Sequence, residues 1–243
     1  MLAHASIQSA WQGYGTGSLD RDAADLHLLC QHLRAHHGVQ EVVLMGHSTG
    51  CQDAVRYMQR YIADGEGRGQ ETEAADEAPV PRLLGTILQA PVSDSEWLSS
   101  YPDLEPLLAS ARALVAAGRG EEVVGRLHVA DAAPISAARL LSLASVGGDD
   151  SMFCEGLSQE AMQRILGPVG CRPCLLLVSG ADECVPGGPE RVAERAEALQ
   201  RAIGGSASVV VVPEAPHNLA GHEVEACAAV CAFLEALTGL ARG

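Results

Sequence analysis

The stretch Glu41-Val42-Val43-Leu44-Met45-Gly46-His47-Ser48-Thr49-Gly50-Cys51 carries the feature on which the fold reading turns. Residues 41–45 form a compact apolar run, the pattern of a buried strand. The run leads straight into Gly46-His47-Ser48-Thr49-Gly50, and helical periodicity resumes over residues 51–62. A Gly-x-Ser-x-Gly between a strand and a helix has a mechanical meaning. At so sharp a turn the serine takes a strained backbone conformation, and the flanking glycines let the chain crowd together. The serine hydroxyl then projects above the sheet at a helix N-terminus, and the amide of Thr49 is placed to donate to an oxyanion. Five residues of this kind also arise by chance in tight turns. The strand-turn-helix setting is what makes Ser48 a candidate nucleophile.

Working outward, residues 2–7 are expected to form a short strand and residues 8–18 a Gly-rich loop. Leu19, Ala23, Leu26, Cys30 and Leu33 then recur at helical spacing. Ser18 suits the N-cap, Asp20 and Asp22 suit the positive end of the helix dipole, and Gly38 ends the helix. On the other side of the motif, residues 64–81 are acidic, Gly-rich and aperiodic, and read as a solvated or disordered insertion. Residues 83–89 form a second buried strand stopped by Ala90-Pro91. The pattern over residues 93–167 is mostly helical, broken at Pro102, Pro106, Gly118, Pro134 and Gly147-Gly148. That is too long for one crossover and predicts an inserted helical cap. Residues 174–179 and 208–212 read as strands, and residues 189–203 and 223–237 as helices. The alternation predicts a single α/β domain over residues 1–243, with a mainly parallel sheet covered by helices on both faces.

A serine nucleophile needs a base, and the base needs an orienting acid. On a sheet of this kind they follow in the order Ser, Asp/Glu, His, each on a loop after a later strand. Asp182 follows the strand at 174–179, within Ser179-Gly180-Ala181-Asp182-Glu183. His217 follows the strand at 208–212, within Pro213-Glu214-Ala215-Pro216-His217-Asn218. Glu183 and Asp94 compete for the acid, since Asp94 also follows a strand end. His222 is the alternative base, at the start of the last helix, whereas His47 suits packing or hydrogen bonding beside the turn. Trp97, Tyr101, Met152 and Phe153 in the cap, together with His47, are candidate pocket residues; the four large apolar ones would serve equally as core.

The chain has 243 residues, 47% of them hydrophobic and only 3% aromatic, with a formal net charge of −15 and pI about 4.9. An aliphatic core is implied, and so acidic a surface repels nucleic acid and anionic lipid. No apolar run approaches the roughly 18 residues needed to span a membrane, and the first residues lack the basic and apolar regions of a signal peptide. A cytoplasmic protein is expected, which also suits eight scattered cysteines. Cys171-Arg172-Pro173-Cys174 leads into a strand rather than a helix, against a redox motif. The only second pair for a zinc site is Cys227 with Cys231. His32, His36 and His37 lack the Glu of a His-Glu-x-x-His site, and no nucleotide-binding glycine motif occurs. No metal and no cofactor are expected.

At these residues the sequence resembles the α/β-hydrolase family of the fungal fusarinine C (siderophore) esterase and its mostly uncharacterised relatives. The resemblance is carried by Tyr14-Gly15-Thr16-Gly17-Ser18-Leu19-Asp20-Arg21-Asp22, by Leu44-Met45-Gly46-His47-Ser48-Thr49-Gly50-Cys51-Gln52-Asp53 and by Ile87-Leu88-Gln89-Ala90-Pro91-Val92-Ser93-Asp94. Leu141-Ser142-Leu143-Ala144-Ser145, Gly147-Gly148-Asp149-Asp150 and Ser179-Gly180-Ala181-Asp182-Glu183 also match. It implies an esterase-type hydrolase with Ser48, Asp182 and His217 as its triad and a small-molecule ester as substrate, which need not be a siderophore. It also implies more chain before Tyr14, holding the first strands and a loop that supplies a second oxyanion amide. The expectation is therefore an N-terminally truncated sequence, with a diminished or rearranged sheet as the alternative. The rival from another class is a non-catalytic relative that binds a ligand or partner. Nothing in the sequence indicates an oligomeric state.

Overall fold

The structure, a computed structural model, describes residues 1–63, 78–127 and 133–240. Helix α1 (Leu19–His37) starts where the Ser18 hydroxyl accepts the Arg21 amide at 3.3 Å and stops at Gly38, whose φ of 64° only glycine adopts freely. Strand β1 (Glu41–His47) follows and turns at Ser48 into α2 (Thr49–Tyr57), which relaxes into a π-helical turn over Met58–Ala63. Next come β2 (Arg82–Gln89), α3 (Asp94–Leu98), α4 (Leu104–Ala116), β3 (Val123–Arg126), β4 (Pro134–Ser136), α5 (Ala137–Ala144) and α6 (Gln159–Leu166). The chain ends in β5 (Cys174–Ser179), α7 (Pro189–Ile203), β6 (Ala207–Val212) and α8 (Glu223–Leu240). Among the described residues no helix is long and apolar enough to cross a membrane.

The main sheet is parallel throughout, in the order β1-β2-β5-β6. Side chains alternate along its strands, and so do the layers. Leu44, Leu88, Leu176 and Val178 face a core shared with α1, α2, α6 and α7, whereas Ile87, Leu175 and Leu177 face Ala226, Val230 and Phe233 of α8. Both faces of the sheet therefore carry helices. His47 pairs with Gln89, Gln89 with Leu177, and Ser179 with Val212, so the four strands end together at one edge. The loops that follow them converge there, where ligands bind on open parallel sheets.

The structure departs from the sequence reading in three places. Residues 2–7 form no strand: they make no ladder, Met1 and Leu2 are exposed, and only Ala5 and Ile7 rest on the core. One β-branched residue in six gives little reason for extended pairing without a partner strand. Helix α2 gives way to the π-turn at Met58, short of Ile62. The segment between β2 and β5 is not only helical, because β3 and β4 pair antiparallel within it. Its α3, α4, α5 and β4 build an apolar cluster of their own around Leu98, Leu108, Ile135, Leu140 and Leu143. Of the acidic insertion at 64–81, residues 64–77 lie outside the described residues, and residues 78–81 lead irregularly into β2.

Candidate active site

Ser48 sits between β1 and α2 with φ 54° and ψ −124°, a conformation that costs a non-glycine residue free energy and persists only when its surroundings over-determine it. Those surroundings are visible. The Ser48 amide donates to the Gln89 carbonyl at 3.0 Å, and the Cys51 amide donates to the Ser48 carbonyl at 2.8 Å. The two motif glycines differ in what they do. A Cβ on Gly46 would lie 2.0 Å from the Gly50 carbonyl oxygen, so this position admits only glycine. A Cβ on Gly50 would meet nothing within 4 Å.

The loop after β5 brings Asp182, and the loop after β6 brings His217. His217 Nε2 lies 2.8 Å from Ser48 Oγ, and its Nδ1 lies 2.8 and 3.0 Å from the two Asp182 oxygens. With a carboxylate on Nδ1, the proton belongs on that nitrogen, leaving Nε2 to accept the Ser48 hydroxyl. The Cys184 amide also donates to Asp182 Oδ1 at 2.9 Å. His217 is fixed at its backbone as well. Its amide donates to Glu183 Oε2 at 2.8 Å, and its carbonyl accepts from Gln89 Nε2 at 3.0 Å and Ser179 Oγ at 3.3 Å. The bond from the His217 amide holds the Glu183 carboxyl below its ordinary pKa. Glu183 thus supports the loop, while Asp182 meets the ring.

His222 is placed at the start of α8, with its amide bonded to the Leu219 carbonyl. The His47 ring lies 4.9 Å from the His217 ring and hydrogen-bonds Gln89, and burial followed by the proximity of His217 lowers its pKa. A neutral His47 beside the base adds no competing positive charge.

A cavity of about 230 Å³ opens on Ser48 and His217. Thr49, Trp97, Val92, Cys184, Tyr14 and Asp94 complete its described wall. Of the candidate pocket residues, Trp97 is on this wall. Met152 and Phe153, each 2% exposed, are packed in the main core, and Tyr101 rests on the cluster around Leu98 and Leu140. Large apolar side chains this deeply buried serve packing.

Behind the wall lies a buried polar network that joins Asp94, a candidate acid by sequence, and Asp22, a helix-start acid, to residues with no role legible in the sequence. Gln52 Nε2 donates to Asp94 Oδ2 at 2.7 Å and to the Val92 carbonyl at 3.3 Å. Arg139 pairs with Asp150 at 2.7 Å, donates to the Tyr14 carbonyl at 3.0 Å and lies over the Tyr14 ring, while Ser142 Oγ donates to Asp150 at 2.6 Å. Asp22 holds the Ser9 amide at 3.0 Å and its hydroxyl. Burial, with Asp22 and Asp150 nearby, pushes Asp53 up to about 8; burial, with Asp150 nearby, pushes Asp94 up to about 7. Every member of this network except Arg139 and Ser9 falls in one of the stretches that carried the family resemblance. A polar residue in an otherwise apolar strand or helix, such as Gln89 or Gln52, was the signal available.

Asp182, Cys184 and His217 also bring possible ligand atoms within 4.8 Å of one another. The Asp182 and His217 atoms are already engaged with each other and with Ser48, and burial with the neighbouring acids raises the Cys184 thiol to about 11, which keeps it protonated near neutrality.

Residues 1–237 match the family described as "Protein of unknown function (DUF1749)". The chain belongs to the DUF1749 family. Among the relatives of this DUF1749 chain is a UPF0613 protein of Schizosaccharomyces pombe, 28% identical over 239 residues, covering 90% of this chain and 71% of that one. Another is the protein named fusarinine C esterase sidJ of Aspergillus fumigatus, 29% identical over 219 residues, covering 74% of this chain and 62% of that one. The DUF1749 chain thus spans less than two thirds of the length of the A. fumigatus protein. Among solved structures it is similar to one titled "Alpha/Beta hydrolase fold protein of unknown function", with a TM-score of 0.59 at 19% identity, covering 97% of this chain and 77% of that one. The fold of the DUF1749 chain is that of the α/β hydrolases.

Proposed function

We propose that this chain is a serine hydrolase that cleaves a small-molecule carboxylic ester through an acyl-enzyme, with Ser48 as nucleophile, His217 as base and Asp182 as orienting acid. The observation that carries the reading is the continuous hydrogen-bonded path Ser48 Oγ–His217–Asp182, at 2.8 Å on either side of the ring. Support comes also from the strained Ser48 backbone and from the relative that bears the name fusarinine C esterase.

In this reaction His217 Nε2 takes the Ser48 proton as Oγ attacks the ester carbonyl, and Asp182 stabilises the imidazolium and keeps its orientation. The Thr49 amide, at the start of α2, donates to the developing oxyanion, helped by the helix dipole. His217 then returns the proton to the departing alcohol. Water enters along the same path and attacks the acyl carbon as it loses a proton to His217; the bond to Ser48 Oγ then breaks, His217 returns the proton to Oγ, and the acid leaves. The segment 93–167 acts as a cap, contributing Asp94 and Trp97 to the cavity wall.

Labelling with a fluorophosphonate probe tests the reading. Wild type is expected to label and to hydrolyse p-nitrophenyl acetate and butyrate, and Ser48→Ala to do neither. Equal labelling of the two proteins overturns the assignment of Ser48. A folded wild type that neither labels nor hydrolyses is instead a ligand-binding relative without catalysis.

A further inference from the structure

We propose that the cavity beside Ser48 accepts a positively charged substrate group, an ammonium a few carbons from the ester, with Asp94 as its counter-charge and Trp97 as its aromatic wall. The inference rests on the esterase reading and adds the substrate class.

Asp94 is the first residue of α3, 6% exposed, and it lines the cavity that also holds Ser48 and His217. It is not needed as the triad acid, because both Asp182 oxygens already face His217 Nδ1. Its own side-chain partner is a neutral amide, Gln52 Nε2. The cation that acts on it from behind, Arg139, is committed to Asp150 in a pair whose side chains are 2% and 0% exposed. No arginine or lysine stands among the described residues of the cavity wall. A carboxyl buried without a counter-ion is unstable as an anion, and its rise to about 7 expresses that.

The remaining wall suits the same ligand. Trp97 follows Asp94 by one helical turn and lines the same cavity, and the Tyr14 phenol lies close enough to Asp94 to be raised by its charge. A carboxyl and aromatic residues sharing one cavity wall suit an ammonium: ring faces attract it and the anion neutralises it. The same site opposes an anionic substrate, which would face Asp94 unscreened. A net charge of −15 draws cations toward the protein over longer distances. Binding of the cation completes the ion pair, ionises Asp94 and fixes the ester against Ser48.

The test uses two matched ester pairs on the whole chain. One is p-nitrophenyl 4-(trimethylammonio)butyrate against p-nitrophenyl 5,5-dimethylhexanoate, with the charge on the acyl side. The other is acetylcholine against 3,3-dimethylbutyl acetate, with the charge on the alcohol side. Wild type is expected to favour the charged member of at least one pair by about tenfold or more in kcat/KM, mostly through KM. Asp94→Asn is expected to bring that ratio to about one, and the exposed Glu105→Gln to leave it as it is. Ratios near one for wild type in both pairs overturn the inference while leaving the esterase reading intact, and need no variant that must fold. An Asp94→Asn protein that folds and keeps the preference overturns the role of Asp94. Absence of all ester hydrolysis and of fluorophosphonate labelling is the separate failure of the esterase reading.

Discussion

Asp94 and Asp182 invite comparison because the fold treats them alike and the chemistry does not. Both are buried acids on the segments that leave neighbouring parallel strands, β2 and β5, at the same end of the sheet, Asp94 opening a short helix and Asp182 on a loop, and both stand close to His217. Asp182 gives both oxygens to the ring that holds Ser48. Asp94 gives one to a glutamine amide and belongs to a network that runs inward through Gln52, Asp53, Arg139 and Asp150. The two sides of one serine are therefore different instruments. On the proposed reading the Asp182 side serves proton transfer, and the Asp94 side shape, stability and recognition.

The largest expected effect separates these roles directly. Asp182→Asn leaves the geometry but supplies the wrong hydrogen-bond partner to Nδ1, and kcat on a neutral p-nitrophenyl ester is expected to fall about 10⁴-fold. Asp94→Asn is expected to lose far less kcat on the same ester. Equal losses in steady-state kinetics would exchange or merge the two roles.

The stability ranking is expected to run the other way. Arg139 and Asp150 are a buried pair with almost no solvent contact, so removing one charge strands the other. Asp150→Ala is expected to cost about 3–5 kcal/mol in urea unfolding. Asp182→Ala removes hydrogen bonds to a ring that keeps some solvent contact, strands no buried ion, and is expected to cost less than half as much. A larger loss for Asp182 would make the triad, not the network, the structural centre of the site.

Gln89 joins the two sides, since its carbonyl takes the Ser48 amide and its side chain holds the His217 carbonyl. Gln89→Leu keeps the first contact and removes the second. With the ring less well aimed, kcat is expected to drop about tenfold with little change in KM, because near-attack geometry is lost rather than binding. A pure KM effect would mean that Gln89 shapes the cavity and does not position the base.

The comparison also shows where sequence reading works and where it stops. The strands at β1, β2, β5 and β6 were legible because short apolar runs bounded by turn residues have few other uses in so large a domain. Ser48, Asp182 and His217 were legible as candidates because each follows a strand end in the order that an α/β sheet imposes. That same rule also admitted Asp94 and Glu183, and only the packed loops decide which carboxyl reaches Nδ1. The expected strand at residues 2–7 failed for a similar reason, since pairing depends on a neighbour that local pattern cannot name. Met152 and Phe153 had the size to line a pocket or fill a core, and their place in the main core is a tertiary fact. Gln52, Asp53 and Asp150 carried family resemblance without a readable role, because a buried polar network takes its meaning from partners far apart in the chain.

The smallest expected effect lies in the pH dependence of stability, and it tests whether the inner network holds protons. Asp53 is raised from 3.8 to about 8 by burial and by Asp22 and Asp150. From pH about 4 upward the unfolded chain releases a proton that the folded chain keeps, so this group makes the fold progressively less stable as pH rises. The decline ends near pH 8, where the folded carboxyl ionises as well. Asp94, at about 7, contributes in the same direction over a narrower window. Asp53→Asn removes the titration while keeping the shape of the side chain. Its Tm is therefore expected to fall between pH 7 and pH 8 by a few degrees less than that of wild type. Parallel Tm curves for the two proteins would mean that Asp53 is ionised in the fold, paired more closely with Arg139 than its unbonded Oδ1 suggests. The inner side of the site would then carry fixed charge, as the Asp182 side is proposed to do, and the contrast between the two carboxyls would narrow to their partners alone.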